Sequence, residues 1–168
     1  MLLLLLASAT AFAPTVPPPR GPRLRASRDD AAPALPRRPS PSASAEDVVA
    51  AQLNALKDGD VMRCFKFASP ANKAATGPWR NFAAMLASNP DYSPMVQCSR
   101  WEFVGAISPS DTTKVVRVRI FPAGGSSAPF AIPPSVSYNF ALSKQPDSGD
   151  SVAGCWCTDS VVLATSGG

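Results

Sequence analysis

Apolar and polar positions alternate with two different periods along the chain, and the change of period divides it. Val49, Leu53 and Leu56 recur at i, i+4 and i+7. With Ser44 as N-cap and Asp47 supporting the first turn, they predict a helix that Lys57-Asp58-Gly59 stops. Asp60 can cap a second, short helix carrying Val61, Cys64, Phe65 and Ala68. Ser69-Pro70 pairs an N-cap with the residue favoured at the first helical position, and Gly77 ends that turn. Pro78 opens a longer helix whose Trp79, Phe82, Ala83 and Leu86 make one apolar stripe, closed by Asn89-Pro90. Beyond Pro94 the period becomes two, predicting strands over 100–107, 113–121, 135–144 and 152–163. In the third, Val136, Tyr138, Phe140 and Leu142 share one face and Ser137, Asn139 and Ala141 the other. Turn residues at 108–111 and 146–149 imply antiparallel neighbours, and 122–134 is the loosest connection. Helices first and strands afterwards predict an α+β domain over residues 45–165, with a bent four-stranded antiparallel sheet covering the helical stripe and a short tail at 166–168.

The segment before it has a different character. Residues 1–44 hold nine of the 19 prolines and six arginines against two aspartates, so they carry the whole net charge of +4. The domain itself is neutral, which removes the main support for a nucleic-acid partner. Leu2 to Leu6 followed by small residues reads as a signal-peptide core (1–11), too short to cross a membrane and so no lasting anchor. Ala9 and Ala11 place a cut between Ala11 and Phe12, although a charged n-region is missing and Met1 need not be the true start. Residues 12–44, rich in Pro, Arg, Ala and Ser, have the composition of a disordered transit peptide or linker. Ala9-Thr10-Ala11-Phe12-Ala13-Pro14 resembles the bipartite presequence of algal plastids of secondary origin, which implies a plastid protein, placed in the stroma. A plain secretory leader with a spacer stays open beside it.

Two stretches of the domain carry a second resemblance. Phe67-Ala68-Ser69-Pro70-Ala71-Asn72-Lys73-Ala74-Ala75-Thr76-Gly77-Pro78 and Gly154-Cys155-Trp156-Cys157-Thr158-Asp159 resemble the two signatures of the family called domain of unknown function 4864. The likeness covers residues 46–164, with Cys157 standing where the family pattern has a bulkier apolar residue. The family is similar to the nuclear transport factor two-like, cystatin-like superfold, which implies a bent sheet wrapping a helix into a cone. That superfold hosts enzymes, carriers and dimerisation modules, so no particular activity follows from it. A homodimer through the open sheet face is also implied by that likeness.

The candidate chemistry is sparse. No histidine is present, which excludes His triads, His general bases and His-ligated metals. Cys155 and Cys157 share a strand face too far apart for an easy disulfide, and with Cys64 and Cys98 they lack the paired spacing of a zinc site. Buried apolar thiols in a reducing compartment, with no metal and no cofactor, is the reading that follows. Asp159 is the candidate general base, since a carboxylate lining an apolar cone gains basicity by burial; satisfying nearby backbone amides is its alternative role. Tyr138 is a candidate hydroxyl, or a core aromatic with a partnered tip. Trp79, Trp101, Tyr138 and Trp156 are candidates for lining a ligand pocket together with Phe65, Phe82 and Phe103, or else for filling the core. Arg117 and Arg119 read as exposed sheet charge. Two function classes result: a non-catalytic module binding a small apolar ligand or a plastid protein, and a pocket enzyme of isomerase or dehydratase type using Asp159.

Overall fold

The computed structural model describes residues 34–124, 134–147, 149 and 151–164. Residues 1–33, with the expected cut between Ala11 and Phe12, most of the connection after β2, and the tail lie outside the described residues.

Among the described residues four helices precede the sheet, α1 (Ala45–Lys57), α2 (Val61–Lys66), α3 (Pro70–Thr76) and α4 (Trp79–Ser88), and a 3₁₀ turn follows at Ser93–Met95. Local chemistry accounts for their ends. Ser44 and Asp47 form a reciprocal capping box on α1, and the Asp60 and Ser69 side chains accept from the third backbone N–H of α2 and α3. Gly77 leaves α3 at φ +79°, where a Cβ would lie 3.0 Å from the Asn81 amide, so the position suits glycine alone.

The strands β1 (Arg100–Ser110), β2 (Thr113–Phe121), β3 (Val136–Lys144) and β4 (Trp156–Leu163) form one antiparallel sheet in the order β1-β2-β3-β4. The fold is therefore the α+β arrangement expected from the change of period. Two boundaries differ from the sequence reading. β1 runs on to Ser110 through Pro109, which an edge strand tolerates because its outer backbone needs no donor. β4 begins at Trp156 rather than residue 152. Residues 151–154 instead form a turn in which Gly154 takes φ +68° and its N–H donates to the Gln145 carbonyl.

Val116, Val118 and Ile120 of β2 and Tyr138, Phe140 and Leu142 of β3 make the inner face, and all are buried. α1 lays Val48, Val49, Leu53 and Leu56 on it, which joins helix and sheet in one core. Arg117 and Arg119 point to the opposite, exposed face, where Arg117 donates to the Asn139 side chain at 2.9 Å.

Candidate functional site

The two sequence stretches that resemble family signatures, nearly ninety residues apart in sequence, meet at Thr158. Ala68, between α2 and α3, makes a parallel bridge with Thr158: the Ser69 N–H donates to the Thr158 carbonyl and the Thr158 N–H to the Phe67 carbonyl, both at 2.9 Å. The Asn72 amide adds a third bond to the same carbonyl at 3.2 Å. Thr158 is thereby held by the helices as well as by β3, and the ladder absorbs this with a bulge. Leu142 pairs with Thr158 and Ala141 with Ser160, which leaves Asp159 as the extra residue. Alternation fails here, so Cys157 and Thr158 are both buried while Asp159 is exposed.

Beside the bulge lies a cavity of about 200 Å³ between α1, α2, α4 and the inner sheet face. Leu56, Phe65, Phe82, Met85, Leu86 and Phe140 supply most of its wall, and Phe65 and Phe82 touch with ring centroids 5.3 Å apart. Its polar lining is bonded to itself. The Thr158 hydroxyl donates to Gln52 Oε1 at 2.6 Å, Gln52 Nε2 to the Cys64 carbonyl at 3.3 Å, and the Thr76 hydroxyl to Asn72 Oδ1 at 3.0 Å. Among the described residues no buried side-chain nitrogen or oxygen lacks a partner. The interior of the cavity thus presents apolar surface with its polar groups already satisfied. Asp159 and Ser160, both exposed, stand at its rim.

The candidates read from the sequence are not gathered in one place. Asp159 lines the cavity from an exposed position at its rim, not from the buried setting expected of it. Tyr138 is fully buried in the core instead, where its hydroxyl donates to the Asp91 main-chain carbonyl at 2.6 Å and burial pushes its pKa up to about 12. Trp101 packs on the core and donates from Nε1 to Asn54 Oδ1 at 3.0 Å, and Trp156 packs on the core as well. Trp79 lines a separate surface cleft. None of Trp79, Trp101, Tyr138 and Trp156 lines this cavity, whose aromatic residues are Phe65, Phe82, Tyr92 and Phe140. Period-two alternation places residues on a face of a strand but not along the sheet, so it could not separate core from cavity.

All four cysteines are free and buried. Burial pushes the Cys64 thiol up to about 12 and the Cys157 thiol to about 11, which makes both poor nucleophiles at neutral pH. Among the described residues no group of three or more Cys, Asp or Glu side chains is placed to hold a metal ion. No described helix is long and apolar enough to cross a membrane. Gln52, Asn72, Thr76 and Thr158 were not singled out from the sequence. Gln52 had a legible signal: it is a polar residue at the buried face of α1, four residues from both Val48 and Leu56.

Residues 40–161 match the family described as Domain of unknown function (DUF4864). A solved structure described as an NTF-2 like protein of unknown function from Shewanella oneidensis MR-1 is similar, at 12% identity over 70% of this chain and 93% of that one, with a TM-score of 0.45. No curated protein matches the chain.

Proposed function

The chain belongs to the Domain of unknown function (DUF4864) family, and from the cavity beneath its helices we propose that it binds a small, largely apolar molecule without transforming it. The supporting observation is the self-satisfied lining: Gln52, Thr158, Asn72 and Thr76 spend their hydrogen-bonding capacity on one another, so shape and apolar contact remain as the means of recognition. An apolar cavity of roughly 150 Å³ takes up benzene, so one of about 200 Å³ suits a ligand of one or two rings. Titrating the full chain with benzene while following thermal unfolding tests this. Benzene raises the midpoint of the native chain, since a ligand that binds only the folded state stabilises it. Ser160→Trp, at the exposed rim, removes the response without lowering the midpoint in the absence of benzene. An unchanged midpoint with benzene overturns the reading.

A pocket enzyme is the second reading, favoured by the bulge that carries Asp159 to the cavity rim. There Asp159 serves as base toward a bound substrate, and Asp159→Asn abolishes turnover while leaving the fold intact.

The place of action is proposed as the plastid stroma, supported by the resemblance of residues 9–14 to a bipartite presequence. In a fluorescent fusion, Phe12→Ala leaves the protein outside the stroma, whereas unchanged import contradicts the placement. A homodimer has a candidate surface in the exposed Phe103, Val104 and Ile107 of β1. A plastid protein seated on the same residues is the other partner this surface suits.

A further inference from the structure

A second concavity, of about 740 Å³, opens on the opposite side of α2 from the cavity. Phe65 is shared between the two walls, and Met62, Trp79, Val152 and two prolines add to the apolar part of this one. The charged groups of its wall are all cationic. Arg38, from the chain preceding α1, Lys66 at the end of α2 and Lys73 of α3 all face the cleft, and no carboxylate lines it among the described residues. None of the three cations is in an ion pair among the described residues, although the domain holds as many acidic as basic groups. The cleft is therefore a local positive field on a neutral domain.

Lys73 is more than a surface cation. Its ammonium donates to the Lys66 carbonyl at 2.9 Å, which fixes it over the C-terminus of α2, and among the described residues its other two donors have no partner. It is partly buried, and that burial lowers its pKa, against a smaller opposing influence of the nearby Cys157 thiol. Trp79 supplies a planar wall nearby, with the Arg80 guanidinium stacked 5.0 Å from its ring centroid. A volume within the usual range of small-molecule sites, a fixed cation and an aromatic wall together describe one ligand class.

We propose that this cleft is a binding site for a small organic anion, a carboxylate or phosphate carried on a planar apolar body, with Lys73 and Lys66 taking the charge and Trp79, Phe65 and Met62 the body. The site is separate from the cavity of the proposed function and stands or falls independently of it.

Isothermal titration of the full chain with 2-naphthoate, and with the neutral 2-naphthalenemethanol as control, tests the proposal. The expected result is saturable naphthoate binding at least about tenfold tighter than that of the alcohol, because a charge-assisted hydrogen bond to a fixed cation distinguishes the two. Lys73→Gln weakens naphthoate binding about tenfold and leaves the alcohol unaffected. Lys66→Gln, at an exposed position, gives a smaller loss in the same direction and carries the test should Lys73→Gln fail to fold. Trp79→Leu weakens both compounds. Ser160→Trp, which plugs the cavity on the other side of Phe65, changes neither. Equal affinity for acid and alcohol, binding indifferent to both lysine variants, binding abolished by Ser160→Trp, or no naphthoate binding at millimolar concentration each overturns the proposal.

Discussion

Burial decides the chemistry of individual side chains here. Cys64, Cys98, Cys155, Cys157 and Tyr138 all have their pKa raised by desolvation, Cys64 and Tyr138 to about 12 and Cys157 to about 11. Between its unfolded and folded pKa each of these groups holds its proton more tightly in the folded chain. The stability they permit is therefore complete below the unfolded thiol value of about 9 and declines as pH rises through 11 to 12. Lys73, shifted downward, acts in the opposite sense, one group against five. Urea unfolding midpoints should accordingly be similar at about pH 7 and about pH 8 and fall clearly by about pH 10, with a shallower fall in Cys64→Ala. A flat profile across that range would show that the thiols are not desolvated. The sequence conveyed that these cysteines are apolar core residues, because free Cys partitions that way. It could not convey that Asp159 is exposed, since that follows from a bulge whose cause lies in residues 67–72.

At the scale of elements, helix starts were legible and the path of β4 was not. Ser44, Asp60 and Ser69 cap their helices as their positions predicted, because a cap is satisfied within three residues of itself. The inner face of β2 was legible for the same kind of reason, through the alternation of Val116, Val118 and Ile120 with Arg117 and Arg119. The early part of β4 depends instead on a distant partner. Thr158 joins three elements, taking backbone bonds from the α2–α3 junction while its hydroxyl donates to Gln52 of α1. Thr158→Val keeps the shape but leaves the buried Gln52 oxygen without its donor, so it should lower stability by about 1–3 kcal/mol in urea unfolding. A variant as stable as the native chain would mean that the junction does not hold β4 in place.

For the whole molecule, one α+β core separates two concavities of different character. The inner one is apolar and self-satisfied, and the outer one is cationic. Family resemblance lay in residues 67–78 and 154–159, but that these stretches meet, at the Ala68–Thr158 bridge, is visible only in the fold. The individual wall residues were out of reach of sequence because the wall comes from all four helices, β3 and β4 at once. The central claim is that the inner cavity holds a small apolar ligand. Native mass spectrometry of the full chain, purified gently from its own source, measures this most directly. The account predicts a retained small mass that Ser160→Trp, prepared the same way, lacks. A bare polypeptide mass in both preparations would contradict it.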